Sequence, residues 1–313
     1  MTSNDSRAAN THTPHATFVH SRGVRLRVDV QGPRNAPLVL FIHGFGGGAF
    51  DWHPVMEQLA GDHLHLAAVD LRGYGRSDKT PRGYDLTTAA SDMAGVIRSL
   101  GYTTATVVGH GYGGLVAWTL VAHNPERVRR LITLSSINPL LRFRGILAQP
   151  FSQPHFARHL LSAQLPRLPE RKLLADNAAA AEKIFRVGVA PGFRDTSAYF
   201  RSAQLRREAM QVDKVAHLSC EYLRWPFRSR FRPEGTRFDR TFPAKTDVPL
   251  LAIDGSMDPT YNEALAKKSA RRAKNAELQV LYGVGHYAHV EDPPCIAEAI
   301  RKQVQADQAT RAD

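Results

Sequence analysis

The chain has 313 residues, of which 43% are hydrophobic and 22% are charged. This composition is typical of a soluble globular protein with a sizeable core, and no apolar run is long enough to cross a bilayer. The polar start has no hydrophobic centre, which argues against a secretory signal and predicts a disordered tail over residues 1–16. Cys220 and Cys295 are too few for a disulfide framework. We therefore expect a cytoplasmic protein with reduced cysteines.

The formal net charge is +12, and residues 139–240 alone carry +10 of it. A basic surface can meet anionic lipid, nucleic acid or an acidic substrate. The arginines do not follow the pattern of a nucleic-acid-binding module, so we expect no specific nucleic-acid partner. Two interpretations remain open: a solubilising surface, which we favour, and contact with an anionic membrane surface.

The first half of the chain predicts strands that alternate with helices. Alternating apolar and polar residues around "SRG" predict a hairpin over residues 18–30. Short apolar runs predict buried parallel strands, and the stripe formed by Met93, Val96 and Ile97 predicts a helix that Thr87 could cap. After the hairpin, the predicted elements are a strand at 37–44, a helix at 50–59, a strand ending near 70, a helix at 87–100, a strand at 104–111, a helix at 115–123 and a strand at 128–136.

This alternation is interrupted by a helical, arginine-rich segment and then resumes. The later predicted elements are a strand at 248–255, a helix at 261–270, a strand at 276–282 and a helix at 295–305. The pattern predicts an α/β fold with a mostly parallel sheet covered on both faces. The insertion predicts a lid over the carboxyl ends of the strands, where such sheets bind ligands. The expected units are a core at 17–138 and 248–306, a lid at 139–247, and tails at 1–16 and 307–313.

A glycine-rich or acidic motif follows each of five predicted strands. The motifs are "HGFGGG" (43–48), "DLRGYGRSD" (70–78), "GHGYGG" (109–114), "DGSMDP" (254–259) and "GVGHYAHVEDP" (283–293). In this order they resemble the motifs of the α/β-hydrolase superfamily, most closely its lidded branch of epoxide hydrolases, haloalkane dehalogenases and small esterases. The resemblance covers residues 18–305 and implies the α/β-hydrolase fold.

The resemblance also implies a role for several residues. His286 matches the family's general base, and Asp258 matches the acid that orients it, although Asp254 lies nearby and remains an alternative. The backbone N–H groups of Phe45 and Tyr112 would form an oxyanion hole. A histidine held by a carboxylate can move protons in both directions near neutral pH.

The sequence departs from the family pattern at Gly111, which stands at the position of the nucleophile. Esterases of the family show "GHSxGG", and epoxide hydrolases and dehalogenases show "GHDWGG". Glycine tolerates the strained backbone of this turn, but it cannot form a covalent intermediate. The nearby hydroxyls of Ser135, Ser136 and Tyr112 are poor substitutes, because none lies at the apex of the turn.

Three functions remain open at this point. In the first, which we favour because His286 and Asp258 are both present, the chain is a hydrolase or a cofactor-free lyase. Its dyad activates water in the space at residue 111 or takes a proton directly from the substrate. Tyr199 or Tyr222 of the lid could then donate a hydrogen bond to an epoxide oxygen, although lid packing also explains these residues. In the second, the chain is an inactive binding or scaffold protein, with its lid at a membrane surface. The third is a weak residual esterase.

The sequence also limits the ligands. Four aromatic residues, Phe45, Trp52, Phe200 and Trp225, favour a small apolar or amphipathic substrate, although core packing explains them equally well. No Cys/His spacing indicates a metal site, and no motif indicates a nucleotide cofactor. We therefore expect chemistry that the side chains and backbone perform without a cofactor.

Overall fold

The computed structural model describes residues 13–148 and 160–312. Within these residues, eight strands form a single sheet. The strands are β1 (His15–Ser21), β2 (Val24–Gln31), β3 (Leu38–Ile42), β4 (His65–Val69), β5 (Ala105–His110), β6 (Val128–Leu134), β7 (Leu250–Gly255) and β8 (Ala276–Leu281).

The order of the strands across the sheet is β1-β2-β4-β3-β5-β6-β7-β8. The predicted hairpin forms β1 and β2, and these two strands and the β2–β4 pair are antiparallel. All other pairs are parallel, and every residue of β3, β4, β5 and β7 is buried, as expected for strands covered on both faces. The prediction of an α/β fold with a mostly parallel sheet is confirmed.

Helices cover both faces of this sheet. In the described residues they are α1 (His53–Gln58), α2 (Leu86–Ser99), α3 (Tyr112–His123), α4 (Pro139–Ala148), α5 (Leu168–Gly188), α6 (Ser197–Gln211), α7 (Val215–Arg228), α8 (Pro233–Thr241), α9 (Glu263–Ala270), α10 (Ala288–Glu291) and α11 (Pro293–Ala312). Met93 of α2 and Leu115 of α3 belong to the apolar cluster on one face, and Met56 of α1 and Ile296 of α11 belong to the cluster on the other.

Some boundaries differ from the sequence-based predictions. The N-cap of α2 is Asp85, whose carboxylate accepts a hydrogen bond from the Thr88 N–H at 2.7 Å, so the prediction that Thr87 caps this helix is wrong. Strand β1 begins at His15, inside the segment predicted as a tail, because it pairs with β2. Residues 1–12 of that segment lie outside the described residues. At the other end, α11 continues to Ala312, through most of the segment predicted as the second tail.

Helices α4 to α8 lie between β6 and β7 and form the predicted helical insertion. They share a buried core with the sheet domain, because Met210, Leu218 and Tyr222 of the insertion belong to the same apolar cluster as Tyr74 and Leu115. Among the described residues, no helix has the length and apolarity that a bilayer crossing would require. Residues 149–159 of the predicted lid lie outside the described residues.

A buried ion pair joins the insertion to the core. The guanidinium of Arg206, on α6, contacts the carboxylate of Asp51 at 2.7 Å, and both side chains are almost completely buried. The same guanidinium lies 4.0 Å from the ring centre of Phe185 and 4.8 Å from that of Tyr287. Burial raises the pKa of Asp51, and the charge of Arg206 opposes that rise. The contacts of Arg206 come from several elements and therefore link α6 to the core.

Candidate active site

The turn between β5 and α3 carries Gly111 at its apex. Its backbone dihedral angles are φ 53° and ψ −114°, in a region that L residues with a side chain rarely adopt. A Cβ built on Gly111 would lie 3.4 Å from Nε2 of His286 and 3.9 Å from Cα of Gly44. A side chain at this position would therefore point at the imidazole of His286, and space for one is present.

His286 follows β8 and is held by a buried carboxylate. Its Nδ1 lies 2.8 Å from Oδ2 of Asp258, so the Nδ1–H donates and Nε2 is left as the basic nitrogen. The other oxygen of Asp258 accepts hydrogen bonds from the backbone N–H and the hydroxyl of Thr260, at 2.7 and 2.8 Å. The arrangement fixes one tautomer of the imidazole and points Nε2 at the turn that bears Gly111.

Electrostatics distinguish the two neighbouring aspartates. Burial alone would raise the pKa of Asp258, but the charge and hydrogen bond of His286 and the hydrogen bonds from Thr260 hold that pKa at about 2. Burial and the charge of Asp258 together raise the pKa of Asp254 to about 7. The geometry therefore places Asp258 against the imidazole, in the orienting position, whereas Asp254 lines a neighbouring side pocket as a carboxyl with a raised pKa.

A cavity of about 130 Å³ opens above the turn. Gly111 and His286 line it, and so do Phe45 and Tyr112, whose backbone N–H groups were predicted to stabilise an oxyanion. Tyr112 is the first residue of α3, so its N–H has no acceptor within the helix and lies at the positive end of the helix dipole. The structure thus brings the predicted base, its acid, the empty nucleophile position and both donor residues together.

The lid tyrosines occupy other positions. Tyr222 is buried, and its hydroxyl donates a hydrogen bond to the carbonyl of Arg72 at 2.9 Å. Tyr199 is also buried, with its ring stacked on Phe185 at 5.3 Å and its hydroxyl 3.5 Å from a carboxylate oxygen of Glu182. Neither tyrosine lines the cavity. Of the two interpretations of these tyrosines, lid packing agrees with the structure, because packing and internal hydrogen bonds already occupy both side chains.

Several aromatic and histidine side chains near the site have packing roles. Trp52 lies in the core with its ring 4.5 Å from that of His289, and of the four aromatic residues taken to favour an apolar ligand only Phe45 lines the cavity. His110 lies under the cavity and donates from Nε2 to the carbonyl of His286 at 3.0 Å. Burial lowers the pKa values of His110 and His289 well below the ordinary range, so both rings are uncharged.

The sequence analysis gave no binding role to three polar residues that line the cavity. Arg142 of α4, Ser135 at the end of β6 and Thr260 all line the cavity. A signal was available for Thr260, which lies two residues beyond Asp258 and can close a turn on its carboxylate. Ser135 was considered only as a substitute nucleophile. Nothing in the sequence distinguishes Arg142 from the other arginines of the insertion.

Comparison with known proteins identifies the family. A family model described as the alpha/beta hydrolase fold matches residues 37–293, and the chain belongs to this family. The AB hydrolase superfamily protein YfhM of Bacillus subtilis is 28% identical over 288 residues, which cover 90% of this chain and 95% of that protein. Epoxide hydrolase A of Mycobacterium tuberculosis is 27% identical over 318 residues, which cover 92% of this chain and 96% of that protein.

Solved structures agree at the level of the fold. The structure of an epoxide hydrolase from an endophytic Streptomyces matches with a TM-score of 0.80 and 20% identity, over 95% of this chain and 96% of that chain. Taken together, the family match and the relatives identify the protein as an α/β hydrolase related to epoxide hydrolases.

Proposed function

We propose that the protein is a hydrolase of the epoxide-hydrolase type in which His286 and Asp258 activate water, with no covalent intermediate at residue 111. The observation that carries this proposal is the position of the imidazole. Its Nε2 lies 3.4 Å from where a Cβ of residue 111 would be, so the basic nitrogen faces the space in which a nucleophile is normally attached. A water molecule in that space would lie within hydrogen-bond reach of the base.

The chemical step follows from these positions. The lone pair on Nε2 takes a proton from the water, and the water oxygen bonds to a carbon of the substrate's three-membered ring. The C–O bond to that carbon breaks, and its electron pair goes to the ring oxygen. The imidazolium of His286, stabilised by Asp258, then returns a proton to that oxygen and gives a diol. The step is balanced, because His286 takes one proton from water and returns one proton to the ring oxygen.

Two further features support a substrate of this class. Phe45 and Tyr112 line the cavity, and we expect their backbone N–H groups to stabilise the negative charge that develops on the ring oxygen. Leu115, Ile184 and Leu223 supply apolar walls, which suit an apolar or amphipathic substrate. Curated relatives named epoxide hydrolases extend over most of this chain, and this makes an epoxide the first substrate class to test.

Hydrolysis of styrene oxide by His286→Ala tests the proposal. We expect wild type to form the diol and the variant to lose at least a hundredfold in rate, because a positioned general base contributes about 10²–10⁴-fold. His20→Ala is the matched control, because His20 is an exposed histidine on β1, far from the cavity. Equal rates for wild type and His286→Ala, with both proteins folded, would refute the proposal.

A second candidate is an inactive binding protein, favoured by the absence of a side chain at Gly111 and by the basic insertion. Flotation with phosphatidylglycerol vesicles and with phosphatidylcholine vesicles tests the membrane contact in this candidate. Binding to the anionic vesicles alone, with no turnover of any epoxide or ester, would favour it over the hydrolase.

The third candidate, a residual esterase, would need another hydroxyl as nucleophile. Ser136 is a weak choice, because its hydroxyl donates a hydrogen bond to the carbonyl of Gly111 at 2.8 Å. Labelling of the protein by a serine-directed fluorophosphonate would favour this candidate. The hydrolase proposal expects no labelling.

A further inference from the structure

A single carboxylate holds both chain neighbours of the proposed base. It belongs to Glu291, the last residue of the short helix α10. Its Oε2 accepts hydrogen bonds from the backbone N–H groups of Gly285 and Ala190, each at 2.9 Å. Its Oε1 accepts a hydrogen bond from the N–H of Tyr287 at 3.1 Å. Gly285 and Tyr287 stand directly before and after His286, so the main chain on both sides of the base is anchored to one side chain.

The carboxylate satisfies buried main-chain groups. Gly285, Tyr287 and Ala190 are buried, and within the described ranges of the chain no other acceptor for their N–H groups is found. A buried N–H without an acceptor costs free energy, and a hydrogen bond to a carboxylate is stronger than one to a neutral carbonyl. Removal of the Glu291 side chain would therefore free all three N–H groups at once and loosen the chain around His286.

The same carboxylate joins the base to the lid. Ala190 follows the end of α5 at Gly188, and the backbone N–H of His286 donates to the carbonyl of Gly188 at 2.8 Å. The two segments are closely packed, because a Cβ built on Gly188 would lie 2.6 Å from Cε2 of Tyr287. Ile184 and Gly188 of α5 also line the cavity. Hydrogen bonds at two points therefore connect this wall of the cavity to the loop that carries the base.

Asp258 and Glu291 act on different parts of the same residue. Asp258 contacts Nδ1 of His286 and fixes the tautomer of the ring, whereas Glu291 holds the main chain from which the ring extends. The distance from Nε2 to a Cβ built on Gly111 is 3.4 Å, and it depends on where that main chain lies. A displacement of about 1 Å at a reacting group can lower a rate by about a hundredfold.

We propose that Glu291 is a positioning residue for His286, and that its carboxylate keeps the base and the cavity wall at the end of α5 in one position relative to Gly111. The carboxylate contacts no reacting atom and acts through the position of the imidazole. The expected effect of Glu291 on turnover rests on the proposed function, in which His286 is the base. Its effect on the position of the imidazole does not.

The proton on Nδ1 of His286 reports the position of the imidazole without requiring turnover. Its downfield resonance in the proton NMR spectrum is assigned by its absence from His286→Ala, and it depends on the hydrogen bond to Asp258. We expect Glu291→Ala to shift this resonance or to abolish it, and to speed hydrogen exchange at the three amides that the carboxylate holds. Glu291→Gln, which keeps the size of the side chain and one acceptor oxygen, should have a smaller effect.

Steady-state hydrolysis of styrene oxide measures the effect on the rate. We expect Glu291→Ala to lower kcat by roughly ten- to a hundredfold and to change KM by less than about threefold, because the cavity walls that bind the substrate keep their side chains. Glu57→Ala, at an exposed glutamate of α1, is the matched control. Ile97→Ala is a second control, because it destabilises the buried face of α2 away from the cavity. Both controls should keep the resonance and the kcat of wild type.

The outcomes separate this inference from the proposed function. A folded Glu291→Ala protein with the wild-type resonance, and with a kcat within about twofold of wild type, would overturn the inference and leave the His286 proposal intact. Equal losses in Glu291→Ala and Ile97→Ala would also overturn it, since lower stability would then explain both. A changed resonance in a protein whose turnover ignores His286 would instead refute the proposed function. If Glu291→Ala does not fold, Glu291→Gln decides the question, and an unchanged resonance and kcat in that variant overturn the inference.

Discussion

Replacing Gly111 with alanine fills the space in which the proposed water reacts and adds no reactive atom. The new methyl carbon would lie 3.4 Å from Nε2 of His286, an ordinary van der Waals contact that requires no movement of the ring. A water bonded to the same nitrogen would lie at about 2.8 Å from it and would compete with the methyl group for one volume. We therefore expect the rate of epoxide hydrolysis to fall at least a hundredfold.

The same substitution has a cost in stability that can be separated from the loss of rate. Alanine must adopt φ 53°, which should lower the free energy of unfolding by about 1–3 kcal/mol. Gly23 provides the matched control, because its φ is 80° and no atom lies within 4 Å of a Cβ built there. Gly23→Ala should lose comparable stability and keep full activity.

Hydrolysis of styrene oxide, followed by chromatography of the diol, measures the rate, and urea unfolding measures the stability. Gly111→Ser is an informative companion, because it places a hydroxyl beside His286 and should convert the protein into a target for fluorophosphonates. A Gly111→Ala protein that hydrolyses the epoxide at the wild-type rate would refute the reasoning, since the volume beside Nε2 would then have no part in the reaction.

Four other substitutions test neighbouring groups. Asp258→Asn should lower the steady-state turnover rate by about 10³–10⁴-fold, and a loss below tenfold contradicts the orienting role. Burial and the charge of Asp258 raise the pKa of Asp254 from 3.8 to about 7. Between about pH 4 and 7 the Asp254 carboxyl therefore holds its proton in the native chain and loses it in the unfolded chain, and the contribution of Asp254 to the unfolding free energy falls as pH rises, by roughly 4 kcal/mol. Urea unfolding of Asp254→Asn should lack this fall, and an unchanged slope is the contrary result. Arg206→Met leaves Asp51 buried without its cation and should cost about 3–5 kcal/mol in the same assay; a cost below 1 kcal/mol would show that the pair does not anchor α6. Ser135→Gly relieves a positive φ and should raise the free energy of unfolding by about 1 kcal/mol, and a loss of stability would contradict the strain.

The sheet and the position of the site were accessible from the sequence. Five of the predicted strands are short runs that end in a glycine or acidic motif, and parallel strands bring those ends to one edge. Gly111, Asp258 and His286 are far apart in the chain, yet each follows such a strand, so their meeting could be predicted from the order of the motifs and its resemblance to the family pattern.

The side of the lid that faces the cavity was not accessible in the same way. Arginine is frequent throughout the insertion, and the count of charges does not distinguish an exposed arginine from a buried one. Arg142, Arg206 and Arg224 are buried in the structure, and the packing of the helices decides which arginines are buried. The two lid tyrosines could not be assigned to one role for the same reason, since aromatic residues can face either a ligand or a core.

Ser135 illustrates a second limit. The residues "SS" after an apolar strand look like an ordinary strand end, and no local pattern predicts a left-handed backbone at the first of them. That conformation comes from the pairing of the strand end with β7, a contact with residues more than a hundred positions away. Long-range constraints of this kind become visible only when the fold is known.

Single-turnover hydrolysis of styrene oxide in H₂¹⁸O, with the protein in excess, tests most directly whether His286 activates water beside Gly111. We expect the diol formed in the first turnover to carry one ¹⁸O atom, and the intact mass of the protein to stay unchanged throughout. A first-turnover diol that contains only ¹⁶O, or a protein adduct that carries the mass of the substrate, would show that a side chain attacks first and would contradict the proposed mechanism.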